Sequence, residues 1–243
     1  MEDASLDPKL SQLLGQLVEQ YITSAQPVSS GALVDNYRLP ISTATARNYM
    51  AELEQAGLVV QPHTSAGRIP TQQGYALYLA QLKPARLTTS EGKVLDAAWQ
   101  ADEAAFEARF KRLAKELAGC ADQAVFVAFG KNDMYYTGLA HLFAKPEHAG
   151  SDHVQMLSEA IDQMDTVLCQ IYQDVPGEPI AWIGEQNPFS AQCSTVLMKF
   201  GHGDREGVVG ILGPMRMDYQ HNLALMDHVG KLLSTPALPE GQQ

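Results

Sequence analysis

Two short runs of side chains carry the chemistry legible in this chain. Ser42-Thr43-Ala44-Thr45-Ala46-Arg47-Asn48 opens with small polar groups and closes on one Arg and one Asn. Pro62-His63-Thr64-Ser65-Ala66-Gly67-Arg68-Ile69-Pro70-Thr71 is a tight polar loop holding one glycine, with Arg68 near its tip. Short side chains at the start of a helix let its backbone approach a base edge. Asn48 can then pair with adenine N6 and N7, and the methyls of Ala44 and of Thr43 and Thr45 can touch the thymine methyl. A helix of this kind followed by a polar loop is how a winged helix-turn-helix meets DNA. The helix enters the major groove and the loop, the wing, lies along the backbone.

The candidate DNA-binding residues are therefore Ser42, Thr43, Ala44, Thr45, Arg47 and Asn48 from the helix. The loop adds His63, Thr64, Ser65, Gly67 and Arg68. Each has a plainer alternative. The helix positions could form an ordinary solvated face. Arg47 could bind phosphate or guanine, or pair with Glu54 or Asp35, a contact worth little on a surface. Arg68 could lie along the phosphates or enter the minor groove, or only stabilise its loop. His63 and Thr64 could donate to phosphate, and His63 could instead shape the wing.

The elements that must position these residues follow from periodicity. Leu10, Leu13, Leu14, Leu17, Val18, Tyr21 and Ile22 recur at helical spacing and mark a first buried stripe, ended by Pro27. Ser29 or Ser30 caps a second helix reaching about Tyr37, Leu39-Pro40 turns the chain, and Ser42 caps a third. On that third helix Ala46, Met50 and Leu53 share one face. Ala44, Asn48 and Gln55 lie opposite, and Gly57 ends the helix. Leu58-Val59-Val60 reads as a strand, Ile69 as the start of its partner, and Tyr75 to Leu82 as a further helix. Lys83-Pro84-Ala85-Arg86 reads as a hinge. The domains are then 1–82, a linker 83–88, and 89–243.

Beyond the hinge, Thr89 or Ser90 caps a helix. Phe106, Phe110, Leu113 and Leu117 give an amphipathic helix closed by Gly119. Residues 124–129 and 134–137 form strands around a Gly130-Lys131-Asn132-Asp133 turn, and Val154 to Leu168 mark one long helix. Strands over 180–183, 194–200 and 207–212 follow, the last two joined at Gly201-His202-Gly203-Asp204. A closing helix carries Leu223 to Leu232. Helices on one antiparallel sheet make this half an α+β domain. Here Asp218 caps the last helix and Arg216 pairs with an acidic neighbour, a structural or dimerising role. Glu185 with Asp204 or Glu206 reads as solvated loop rather than a metal or carboxylate pair.

Composition narrows the function classes. The chain has 243 residues, 45% of them apolar, enough for a packed core. The net charge of −11 argues against a protein that coats nucleic acid. The charge is unevenly spread. Residues 1–82 set four bases against seven acids, whereas residues 87–243 set 11 against 21. The N-terminal part is nearly neutral, which predicts modest non-specific affinity and a shallow salt dependence. Cys120, Cys169 and Cys193 are widely spaced, odd in number and without metal-binding spacing; they read as buried small apolar groups in a reduced cytoplasmic protein. No membrane span, secretory signal, nucleophile motif, phosphate loop or cofactor signature is legible, so an enzyme is the least expected reading.

These residues resemble the HrcA family of heat-inducible transcription repressors. The resemblance runs through Tyr21-Ile22, Pro27-Val28-Ser29-Ser30, Ser42 to Asn48, Met50, Leu53-Glu54, His63 to Thr71 and Gly74-Tyr75. It resumes at Gly138-Leu139, Pro146-Glu147, Ile183-Gly184-Glu185 and above all Gly210 to Tyr219. It implies a winged-helix DNA-binding domain followed by a GAF-like domain, and a homodimer on an inverted-repeat operator, CIRCE, upstream of chaperone genes. It also implies a GroEL-type chaperonin that keeps the repressor active until heat draws it away. The chain departs from the family in lacking an inserted dimerising segment between Phe129 and Met134. It also carries Ala46, Tyr49 and Ala76 where the family has Ile, Glu and Arg. Two other classes compete: a ligand sensor using the GAF-like domain, and a winged helix that binds protein.

Overall fold

The computed structural model describes residues 6–82, 85–100, 105–129, 133–144, 151–202 and 205–234, with only the backbone of residues 151–153 and 156. By internal contacts the chain divides into two units, Met1–Lys83 and Pro84–Gln243. The centre of the expected hinge, Lys83-Pro84, lies outside the described residues, as do Pro146-Glu147 of the family resemblance.

The first unit runs α1 (Pro8–Ser24), α2 (Ser30–Tyr37), α3 (Thr43–Gln55), β1 (Val59–Val60), β2 (Ile69–Pro70) and α4 (Gln72–Ala80). Each helix starts where a short polar side chain takes up a free N–H group of the first turn. Asp7 accepts from Lys9 N, Ser29 from Ala32 N, Ser42 from Thr45 N and Thr71 from Gly74 N. The core joins Leu13, Leu14, Leu17 and Val18 of α1 to Leu33 of α2 and to Ala46, Met50 and Leu53 of α3. Pro27 is not what stops α1. Ala25 turns left-handed at φ 54°, and its N–H closes on Tyr21 O before the proline is reached. Gly57, at φ +73°, reverses the chain after α3.

The second unit is an α+β layer structure. It runs α5 (Thr89–Gln100), α6 (Phe106–Ala121), β3 (Ala124–Ala128), β4 (Met134–Thr137), α7 (Leu139–Phe143), α8 (Ser151–Asp162) and α9 (Met164–Ile171). β5 (Ile180–Ile183), β6 (Cys193–His202), β7 (Arg205–Pro214) and α10 (Tyr219–Ser234) complete it. The sheet has the order β4-β3-β7-β6-β5, all neighbours antiparallel. One face, carrying Phe126, Leu197 and Leu212, packs on Leu142 of α7, Leu157 of α8 and Met164 and Leu168 of α9. On the other face Phe200 meets Phe110 of α6 at 4.5 Å between ring centres, and Ser194 accepts from Tyr219 Oη of α10 at 2.8 Å.

Several boundaries differ from the sequence reading. Thr88, not Thr89 or Ser90, caps α5: its hydroxyl accepts from Glu91 N while Glu91 reaches back to Thr88 N, a capping box. α6 passes through Gly119 and ends where Asp122 adopts φ 50°. The single helix expected over 154–168 is two, parted at Gln163. Both bury their apolar side on the same sheet face, so the apolar rhythm runs unbroken through the bend. Strands β6 and β7 pair as far as His202 opposite Arg205, tighter than the expected four-residue turn, whose Gly203 and Asp204 lie outside the described residues. Of the turn after β3, residues 130–132 lie outside the described residues; Phe129 N donates to Asp133 O at 2.8 Å.

Two histidines of α10 hold α5. His221 Nε2 lies 2.8 Å from Glu91 Oε1, and His228 Nε2 lies 2.9 Å from Asp96 Oδ1. Asp218 accepts from His221 N at 3.0 Å and so caps α10. The expectation of three buried cysteines is corrected. Cys193 is buried, Cys120 is half-buried, and Cys169 is exposed because it lies on the side of α9 turned from the sheet. Glu185 and Glu206 are exposed on separate elements. Among the described residues no three His, Cys, Asp or Glu side chains come together as a metal site. No helix among them is long and apolar enough to cross a membrane.

Candidate nucleic-acid interface

Helix α3 divides its side chains as its wheel requires. Ala46, Met50 and Leu53 are 0%, 3% and 0% exposed, so the helix is anchored by one face only. Thr43, Ala44, Arg47 and Asn48 are all exposed. Ala44 and Asn48 stand opposite the buried face, Arg47 flanks them, and Thr43 opens the first turn. Ser42 and Thr45 are engaged locally: Ser42 Oγ accepts from Thr45 N at 3.1 Å and lies 2.9 Å from Thr45 Oγ1. They shape the start of the helix, and the four beside them are turned to solvent.

The loop leaves a two-residue ladder in which Val59 pairs with Pro70 and Val60 with Ile69. Pro62, His63, Thr64 and Ser65 are exposed at its far end. The interior of the loop is tied by Gln61, whose side-chain amide donates to Thr64 O at 3.0 Å and Ala66 O at 2.9 Å. A turn closes through Ala66 N to His63 O at 2.8 Å.

Arg68 is placed differently from expectation. Arg68 sits at the base of the loop, not near its tip. Its backbone exchanges both hydrogen bonds with Val28, at 2.8 and 2.9 Å, and so adds a third short strand segment. Its guanidinium meets Glu54 of α3, Nη2 to Oε2 at 2.8 Å and Nε to Oε2 at 3.0 Å, and the Arg68 side chain is 16% exposed. Gly67 lies against the same backbone: a Cβ there would stand 2.2 Å from Val28 O. Close approach of two backbone segments explains the residue type.

Glu54 and Gln61 were not singled out in the sequence. Glu54 entered as an alternative partner for Arg47 and as a position of the family resemblance; it is instead the partner of Arg68 and accepts from Gln61 N at 3.1 Å. A sequence cue existed in the amide residue opening an otherwise short-chained loop, but an ion pair 14 residues apart has no periodic signature.

The model of the HrcA protein C-terminal domain matches residues 80–222. A heat-inducible transcription repressor HrcA of Kocuria rhizophila is 54% identical over 76 residues, 31% of this chain and 23% of that protein. Its counterpart from Desulforudis audaxviator is 34% identical over 155 residues, 63% of this chain and 41% of that protein. The chain thus spans well under half the length of these curated relatives. Among solved structures, that of a hypothetical protein superposes with a TM-score of 0.77 at 18% identity, covering 95% of this chain and 98% of its own, and so shares the fold.

Proposed function

The chain belongs to the HrcA family, and from that premise we propose that it is a DNA-binding repressor of heat-inducible transcription. On this reading the first unit is a winged helix-turn-helix. α3 enters the major groove, Thr43, Ala44 and Asn48 face base edges, and Arg47 reaches a base or phosphate. Ser42 and Thr45 hold the start of the helix against the backbone, and His63, Thr64 and Ser65 of the wing meet the phosphates. Gly67 and Arg68 keep the wing in place. The observation that carries the reading is one face of α3 turned outward, small or polar at every position from 43 to 48 that is not buried, and fixed to an exposed polar loop.

The second unit is read as a GAF-like regulatory and dimerising domain. A homodimer would match the two-fold symmetry of a CIRCE-like inverted repeat before chaperone genes, in the cytoplasm. A GroEL-type chaperonin would hold the repressor active, and heat would release it. A second reading, ligand sensing, draws support from a cleft of about 860 Å³ between α10 and β6, lined by Tyr172, Lys199, Phe200, Glu206, Asp227 and Lys231. A ligand entering it would raise the melting temperature, and the rise would continue with the logarithm of its concentration above Kd.

The test is fluorescence anisotropy of an inverted-repeat duplex against a scrambled one, with Asn48→Ala beside the wild type. Preference for the repeat, reduced by about 1–3 kcal/mol in the variant at one base position, is expected. Equal binding of both duplexes by both proteins refutes the assignment and leaves protein recognition by the winged helix as the better reading.

A further inference from the structure

A two-residue ladder is too short to hold an eight-residue loop at a fixed distance from a neighbouring helix. Beside the Val28–Arg68 backbone pair, a single carboxylate supplies the further constraint. Glu54 Oε1 accepts from Gln61 N at 3.1 Å, where the loop leaves β1. Glu54 Oε2 accepts from Arg68 Nε and Nη2 at 3.0 and 2.8 Å, where the loop returns to β2. Both ends of the loop therefore hang from one side chain of α3, two helical turns beyond Arg47. Gln61 carries the constraint inward through its bonds to Thr64 O and Ala66 O.

We propose that Glu54 is a positioning residue for DNA recognition, setting the wing against the reading face of α3, and that Arg68 acts on DNA through Glu54 rather than by touching phosphate. The proposal rests on the DNA-binding reading above. It differs in sign from its rival. Were Arg68 a phosphate contact, removing the negative charge of Glu54 would free the guanidinium and lessen repulsion, and Glu54→Gln would bind DNA more tightly. As a positioning residue, Glu54→Gln loses the ionic partner of Arg68 and loosens the wing, and binding weakens.

The experiment uses the full chain as wild type, Glu54→Gln, Arg68→Gln and the double variant, well below their melting temperatures. Anisotropy is read on repeat and scrambled duplexes at two salt concentrations, and backbone amide exchange is read without DNA. Each single variant is expected to weaken repeat binding on the order of tenfold, the scale of one charge-assisted hydrogen bond. The double variant is expected to be no weaker than either single one, because the two groups act as a unit. The salt slope stays at its wild-type value, and exchange quickens at Gln61, Ala66 and Arg68.

Tighter binding by Glu54→Gln overturns the proposal, as does a fall in salt slope of about 0.9 in Arg68→Gln, the mark of one lost phosphate contact. A lower melting temperature with unchanged affinity of the folded protein also overturns it, since that is a stability role alone. If the wild type binds both duplexes alike, the DNA reading is what fails, and the proposed role on DNA fails with it. Unchanged exchange at the three amides would then refute the clamp as well.

Discussion

Gly67→Ala is expected to open the Val28–Arg68 bridge. The introduced Cβ would stand 2.2 Å from Val28 O, 2.3 Å from Val28 C and 2.8 Å from Pro27 C, all backbone atoms that no rotamer change can move aside. The two chains must part by close to an ångström to reach ordinary contact. That carries the Val28–Arg68 hydrogen bonds, 2.8 and 2.9 Å long, beyond useful length. Two lost backbone bonds cost about 1–3 kcal/mol together; keeping them by compressing the site costs about as much. The assay is backbone amide exchange in the full chain, which reports local opening directly. Exchange at Val28 and Arg68 should quicken by roughly ten- to a hundredfold while amides in the core of α1 hold their rates. Repeat-duplex affinity should fall in parallel. Gly119→Ala is the control: nothing lies within 4 Å of its Cβ, and it sits inside α6. It should stabilise by about 0.5–1 kcal/mol through helix propensity alone. Wild-type protection of Val28 and Arg68 in Gly67→Ala would refute the steric reasoning.

Two further outcomes are expected. The Thr88 hydroxyl, then the Thr88 backbone and His221, hold the Glu91 carboxyl below its ordinary range. Because the folded value is depressed, the contribution of this cap is complete above the ordinary carboxyl range and fades as pH falls through the lowered value. Thr88→Ala should move the Glu91 titration upward in carboxyl NMR, and an unmoved midpoint would reject the assigned cause. Burial pushes the Cys193 thiol up to about 11, whereas Cys169 is exposed. Iodoacetamide near pH 8 should therefore label Cys169 in the folded protein and Cys193 only after denaturation; early labelling of Cys193 would contradict its burial.

What could be read in advance was local. Ser29 and Ser42 announce helix starts because a cap is decided within four residues. The inward placing of Ala46, Met50 and Leu53 follows from period alone. What escaped was decided across distance. Nothing near Arg68 in the chain says that its charge is taken up by Glu54, or that Val28 lies against Gly67. The break at Gln163 escaped for a different reason: the sheet imposes one apolar rhythm on two helices, and the rhythm hides the joint.

The pairing of α5 with α10 sets an order of assembly. His221 meets Glu91 and His228 meets Asp96 across sequence separations of 130 and 132. Those contacts cannot exist on a growing polypeptide until its last described helix has been made, and non-local pairing of this kind is slow to form. The first unit carries no such debt to later residues. Its core, its caps and the Glu54–Arg68 pair all close within residues 7–82. A nascent chain emerging from the ribosome can therefore close the core of residues 7–82 long before α10 exists to complete the second unit.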